Sequence, residues 1–121
     1  MQETPPHDLK NRTYLFARRI IAVYTALPRS TLSQVLGKQA LRSGTSVGAN
    51  YREAFRSRSK AEFVAKMGGC LRELDETEYW LELLVDESII LRKRMSALLD
   101  ETRQLTAIFV TIIKNARNNA S

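Results

Sequence analysis

The sequence predicts an all-α protein folded as an up-down-up-down antiparallel four-helix bundle. Apolar side chains recur at steps of three and four residues through four successive segments, which is the spacing of one helix face. Only five Gly and three Pro interrupt the 121 residues, which disfavours a many-turned β fold. We expect one domain over residues 8–117, with a disordered tail at 1–7 and a frayed tail at 118–121.

The first helix is predicted over about residues 8–26. Asp8 is a suitable N-cap, and Pro28 disfavours helix at the residue before it. The breadth of its apolar face suggests burial on two sides. Its main apolar line consists of Phe16, Ile20, Val23 and Leu27.

The second helix is predicted over about residues 31–56, and its inner face is unusually polar. Ser43 and Asn50 stand where Leu is more typical, and a buried polar group needs a partner. We therefore interpret both as structural residues that bond across a tight helix contact. Gly44 and Gly48 indicate close approach by another backbone, for which we favour the Gly68–Cys70 patch, or else by a ligand. The inner face is Leu32, Leu36, Ala40, Ser43, Val47, Asn50 and Ala54.

The third and fourth helices are predicted over about residues 60–86 and 91–116. Ser59 and Glu62 have the spacing of a capping box at the start of the third helix. Trp80 is interpreted as a core or interface residue in preference to a base-stacking platform. The core line of the third helix is Phe63, Met67, Cys70, Leu74, Leu81 and Leu84 or Val85, and that of the fourth includes Leu91, Met95, Leu98, Leu99, Leu105, Ile108, Phe109, Ile112 and Ile113.

Five carboxylates crowd the second half of the third helix. Metal sites in helix bundles use Glu-x-x-His repeats on facing helices, and the lone histidine, His7, supplies none. We therefore interpret these acids as partners for Lys and Arg on neighbouring helices. The five are Glu73, Asp75, Glu76, Glu78 and Glu82.

Charge is distributed unevenly along the chain. Residues 1–60 carry eleven Lys or Arg against three acids, a net +8, whereas residues 61–121 carry eight against ten, a net −2. One side of the second helix carries a row of cations, the basic ridge, which can follow a phosphate backbone, form a solvated face or pair with the acidic third helix. The basic ridge comprises Lys38, Arg42, Arg52 and Arg56, continued by Arg58 and Lys60.

No motif for catalysis, metal binding or cofactor binding is present in the sequence. There is no Gly-rich phosphate loop, HExxH, CxxC or GxSxG, and the single Cys70 has no nearby histidine. We expect a non-enzymatic protein with no catalytic residues, metal or cofactor. The N-terminal residues lack the pattern of a signal peptide and no apolar run reaches about 18 residues, so we expect a cytoplasmic protein.

Two segments resemble the bacterial four helix bundle family, also called the 23S ribosomal RNA intervening-sequence protein family. They are QALRSGTSVGANYRE at Gln39–Glu53 and SKAEFVAKMGGCLRELDETEYWLELL at Ser59–Leu84. Phe16–Tyr24 also fits the family's first helix, and the resemblance extends over about residues 8–117. On helix two the recurring positions are Arg42, Ser46, Asn50 and Glu53, and at the start of helix three they are Ser59, Glu62 and Phe63.

The resemblance implies a homo-oligomer without catalytic residues. Family members form homopentameric barrels, and a relative serves diversity-generating retroelements, where it binds nucleic acid and a reverse transcriptase. We therefore expect a ring-like homo-oligomer that binds RNA or DNA through the basic ridge, with a reverse transcriptase as a further possible partner. The alternative is a protein–protein scaffold whose basic ridge pairs with helix three of a neighbouring subunit. Residues expected to be structural or at an interface are Ser43, Asn50, Glu53, Gly68, Gly69 and Trp80.

Overall fold

The computed structural model describes residues 6–119, which form four α-helices. These are α1 (Pro6–Thr25), α2 (Thr31–Ala54), α3 (Lys60–Asp86) and α4 (Arg92–Asn118). Ion pairs show that α2 and α3 are antiparallel, since Glu53 pairs with Lys66 close to the connector and Arg42 pairs with Glu76 further from it. The all-α four-helix bundle predicted from the sequence is confirmed.

The helices begin and end within two residues of the predicted positions. α1 begins at Pro6, because proline is well suited to the first helical position, and Asp8 lies in the first turn, where it favours the helix dipole. α2 ends at Ala54, two residues early, because Arg56 and Ser57 donate to carbonyls three residues back and tighten the turn. Of the predicted tails, residues 1–5 and 120–121 lie outside the described residues, whereas Pro6, His7 and Asn118 are helical.

The four apolar faces meet in one core, as the periodicity predicts. Two predicted core residues are exposed, Leu32 at 49% and Leu91 at 69%, because they lie at helix starts near the ends of the bundle. No helix within residues 6–119 is both long enough and apolar enough to cross a membrane. The largest fully buried side chains include Leu9, Phe16, Ile20, Val47, Met67, Leu74, Leu81, Leu84, Met95, Leu99, Leu105 and Phe109.

The two central glycines of α2 face α1, so the predicted contact with the Gly68–Cys70 patch is wrong. A Cβ on Gly44 would lie 2.7 Å from Ile20 Cγ1, and a Cβ on Gly48 would lie 3.2 Å from Thr13 Oγ1. Both distances are shorter than ordinary van der Waals contact, so side chains of α1 occupy the space that these glycines leave. Helical periodicity identifies a small-residue face but does not say which neighbour packs on it.

The connector between α3 and α4 contains a serine in the left-handed backbone region. Ser88 has a φ of 60°. Its N–H donates to the carbonyl of Val85 at 2.9 Å, and the N–H of Ile89 donates to that of Leu84 at 3.0 Å. This hydrogen-bond pattern is the Schellman motif, in which glycine usually occupies the position that Ser88 holds. A Cβ there costs about 1 kcal/mol, because it lies close to the following carbonyl oxygen.

We therefore expect Ser88→Gly to raise the free energy of unfolding by about 0.5–1 kcal/mol, measured by urea denaturation. Ser96→Gly is the matched control, because Ser96 is equally exposed but lies within α4. The control should lower the free energy of unfolding by about 0.5 kcal/mol, since glycine is a poor helix former. Destabilisation by Ser88→Gly would contradict the assigned strain.

Candidate nucleic-acid interface

The six residues of the basic ridge are all exposed, but only part of the ridge lies on α2. Lys38, Arg42 and Arg52 belong to the helix, whereas Arg56 and Arg58 lie in the connector that follows Ala54. Lys60 is the first residue of α3. The ridge therefore runs along α2 and turns with the chain toward α3.

Arg42 is paired with α3 of its own chain. Its Nη1 lies 3.3 Å from Glu73 Oε1, and its Nη2 lies 2.8 Å from Glu76 Oε1. The Arg42 side chain is still 49% exposed, so water screens these pairs and together they contribute about 1 kcal/mol or less. Arg42 is the ridge residue whose charge is most fully balanced by its neighbours.

Apart from that of Arg42, no side chain of the ridge pairs with a carboxylate among the described residues. Lys60 Nζ donates to the backbone carbonyl of Asn119, at the end of α4. The guanidinium groups of Arg52, Arg56 and Arg58 have no carboxylate partner within residues 6–119, and neither has the ammonium of Lys38. Glu53, the one acid in residues 31–60, pairs with Lys66 at 3.1 Å. A positive surface therefore remains beside α2.

Arg52 approaches an aromatic ring on α1. Its guanidinium carbon lies 5.9 Å from the centre of the Tyr14 ring, near the outer limit of a cation–π contact. Lys10 and Asn11 line the same shallow pocket, whose volume is about 250 Å³. The structure thus adds Lys10 and Tyr14 of α1 to the surface that the sequence assigned to α2 and the residues directly after it.

Most of the α3 acids are paired within the chain, as the sequence analysis expected. Beyond the two carboxylates that Arg42 holds, Glu78 and Glu82 accept from Arg103 of α4 at 2.8 and 2.9 Å. Hydrogen bonding to Glu78 raises the pKa of Arg103 above its ordinary value. Among the five, Asp75 has no basic partner within the described residues.

Ser43 makes the inter-helix hydrogen bond expected of it. Its hydroxyl is fully buried, accepts from Thr77 Oγ1 at 2.8 Å and donates to the Gln39 carbonyl at 3.0 Å. Asn50 behaves differently: it is half-buried, and its Nδ2 lies 3.7 Å from the position of a Cβ on Gly69. Asn50 therefore lies at the α2–α3 contact without a side-chain hydrogen bond inside residues 6–119.

The surroundings of Gly68 differ from those expected, whereas Trp80 lies against the core, one of the two places interpreted for it. A Cβ on Gly68 would meet no described atom within 4 Å, so the close neighbour expected there is not found among residues 6–119. The Trp80 ring packs against the core and meets Tyr79 edge-on, with 4.9 Å between ring centres. Its Nε1 is buried and has no hydrogen-bond partner among the described residues.

Comparison with known proteins identifies the family. The family model described as 23S rRNA-intervening sequence protein matches residues 7–111. The chain belongs to this family. A protein of unknown function from the S23 ribosomal protein family of Bacteroides thetaiotaomicron VPI-5482 has a crystal structure that is similar at a TM-score of 0.84. The two are 38% identical over 90% of this chain and 97% of that one. No curated protein matches the chain.

This member of the 23S rRNA-intervening sequence family uses several of the recurring helix-two positions for contacts between α2 and α3. Arg42 and Glu53 form ion pairs with α3, and Asn50 lies against Gly69. These contacts give such positions a role in packing. The cations without carboxylate partners, Lys38 and Arg52, lie outside that set.

Sequence reasoning missed Thr77, Lys10 and Tyr14. Thr77 could have been found, because it falls between Leu74 and Leu81 on the core line of α3 and is fully buried. Tyr14 lies off the apolar line of α1, and Lys10 is one turn before it. Nothing in the sequence indicates that these two residues lie beside Arg52.

Cys70 is a buried thiol whose ionisation is disfavoured. Burial is the main cause that raises the pKa of Cys70 from 9.0 to about 12, and the nearby carboxylates of Glu53 and Glu73 contribute to the same rise. The thiol is therefore protonated at neutral pH, and a protonated thiol is a poor nucleophile. No group of three potential metal ligands occurs within the described residues.

We expect the free energy of unfolding to fall as the pH rises from about 9 toward 12. In the unfolded chain the Cys70 thiol ionises near its ordinary pKa of 9.0, whereas the folded chain holds the proton until about 12. The stabilisation is therefore fully present below pH 9 and is lost as the pH approaches 12. Urea denaturation across this pH range measures the effect.

The control variant is Cys70→Ala, which removes the titrating group but leaves the other ionising residues. Burial also raises the pKa of Tyr51, to about 12, so part of the alkaline slope should persist in this variant. The slope of unfolding free energy against pH should be shallower in Cys70→Ala than in the parent. Equal slopes would show that the pKa of Cys70 is the same in the folded and the unfolded chain.

Proposed function

We propose that the chain is a non-enzymatic protein that binds RNA or DNA through the basic ridge. The observation that supports this most is the group of exposed cations without carboxylate partners within residues 6–119, namely Lys38, Arg52, Arg56 and Arg58. Exposed cations at such spacing attract phosphates, and the release of counterions from nucleic acid drives this kind of binding.

Phosphate contacts of this kind supply affinity without reading base sequence. The ridge consists of Lys and Arg on an outer helix surface and its connector, which suits contacts to the phosphate backbone. We therefore infer a protein that follows the shape and charge of its nucleic acid. Membership of a family described as 23S rRNA-intervening sequence protein makes RNA the first ligand to test.

We also propose that the protein forms a homo-oligomer, with the pentameric ring of the family resemblance as the expected form. Support comes from large apolar side chains that the bundle leaves half exposed, among them Leu15, Ile21 and Val35. Association would remove such apolar surface from water, which is favourable. Light scattering should give five times the mass of one chain, and a monomer at micromolar concentration would contradict this proposal.

The alternative function is a scaffold in which the basic ridge pairs with α3 of a neighbouring subunit. Four of the five α3 acids already have basic partners in their own chain, which leaves Asp75 for such pairing. This observation favours the nucleic-acid proposal. In the scaffold alternative, reversing the charge of Arg52 and Arg56 would dissociate the oligomer.

We expect binding of structured RNA to weaken steeply with salt and to depend on Arg52 and Arg56. Each arginine that contacts a phosphate contributes about 0.7–0.9 to the slope of log affinity against log salt. The double variant Arg52→Glu, Arg56→Glu should therefore lower both affinity and slope. Fluorescence anisotropy with RNA and DNA at several salt concentrations measures both.

Lys114→Glu is the matched control, because it reverses an exposed charge on α4. It should bind nearly as well as the parent protein. Binding that is insensitive to salt, or equal losses in the control and the double variant, would falsify the assignment to the ridge. Light scattering on the same variants shows whether assembly has changed instead.

A further inference from the structure

An aromatic ring that lies outside the core is found at the outer edge between α1 and α2. Tyr14 is 51% exposed, and it lies off the line of Leu9, Phe16 and Ile20, which are all fully buried. The core therefore does not require a large aromatic side chain at this position. An exposed ring offers a flat apolar surface to whatever binds there.

Cations border this ring on both helices. Arg52 of α2 lies 5.9 Å from the ring centre, and Lys10 of α1 lines the same 250 Å³ pocket. Closely contacting carbon atoms lie about 3.5–4.0 Å apart, so the Arg52 guanidinium lies over the Tyr14 ring without close stacking, and the ring remains 51% exposed. The ring thus keeps an accessible surface while positive charge lies next to it.

A second exposed aromatic ring lies directly after the end of α2. Phe55 is 50% exposed and follows Arg52 by three residues, so the two are neighbours on the helix surface. Its ring meets Tyr51 edge-on, with 4.9 Å between ring centres. Arg56 follows directly, so an aromatic and a cationic side chain adjoin at the end of α2.

We propose that Tyr14 is a base-stacking site for single-stranded RNA, with Lys10, Arg52 and Arg56 contacting the flanking phosphates. This inference rests on the proposed function and narrows its ligand. Proteins that bind single strands combine cations along the backbone with aromatic rings that stack on bases. A duplex cannot use Tyr14 in this way, because neighbouring base pairs cover its base faces. RNA fits best, since its loops and bulges present unstacked bases. Phe55 offers a second stacking surface.

The test compares single-stranded RNA with a duplex of the same sequence. Tyr14→Ala should weaken binding of the single strand about 5- to 100-fold, the range for loss of one base–aromatic stack. Duplex binding should change less than twofold. Tyr14→Phe should retain the affinity of the parent, because stacking needs the ring and not the hydroxyl. Tyr79→Ala, at a 59% exposed ring on α3, is the matched control and should bind like the parent.

The salt dependence separates stacking from charge. Tyr14→Ala should lower the affinity for single-stranded RNA at every salt concentration without changing the slope, whereas Arg52→Gln should reduce the slope. Circular dichroism and thermal melting establish that each variant is folded. A change of slope in Tyr14→Ala would show that the tyrosine acts through the placement of Arg52, which overturns the stacking role.

The outcomes distinguish this inference from the proposed function. Unchanged single-strand binding by Tyr14→Ala, or equal losses for single strand and duplex, overturns the stacking site. If the stacking site is overturned but the double variant Arg52→Glu, Arg56→Glu still abolishes binding, the proposed function is supported without a stacking site. If the parent protein binds neither RNA nor DNA even at low salt, both proposals fail.

Discussion

The close approach of α1 to α2 is the constraint on which the rest of this surface depends. At Gly44 a Cβ would lie 2.7 Å from Ile20 Cγ1, so a larger residue would force the Ile20 side chain or the helix that carries it to shift. The absence of a Cβ at Gly48 likewise leaves room for the Thr13 side chain. Because the helices lie this close, Tyr14 on α1 and Arg52 on α2 become neighbours at their outer edge. The packing of small residues inside thus positions the charged and aromatic groups outside.

Charge pairing decides which face of the bundle stays positive. Arg42 of α2 and Arg103 of α4 form ion pairs with acids of α3. Arg12 of α1 pairs with Glu101 of α4 at 2.8 Å. Exposed pairs of this kind add little stability, but they cancel local charge. Within residues 31–60 the one acid is Glu53, and its carboxylate pairs with Lys66. The guanidinium groups of Arg52 and Arg56 therefore have no carboxylate partner among the described residues, which leaves their charge available to attract phosphates.

Much of the fold could be predicted from the sequence, because local rules decide it. The stripes through Phe16, Val47, Leu74 and Phe109 have the helical period, and each of these residues is fully buried. Ser59 caps α3, accepting from the Glu62 N–H at 3.0 Å. The carboxylate of Glu62, however, accepts from the Arg58 N–H, one residue before the partner that a capping box uses. Leu32 and Leu91 failed as core residues, because a periodic pattern continues past the point where neighbouring helices cover it.

The candidate site was predictable only in part. Residue identity and spacing are enough to predict four amphipathic helices, an excess of cations around α2 and a need for a partner at Ser43. The packing of the helices identifies that partner as Thr77, pairs Arg42 with α3 while Arg52 has no carboxylate partner within residues 6–119, and brings Tyr14 next to Arg52. Those outcomes depend on how the helices are rotated and how closely they approach. Rotation and approach are set by packing between residues distant in sequence, which periodicity along one helix does not encode.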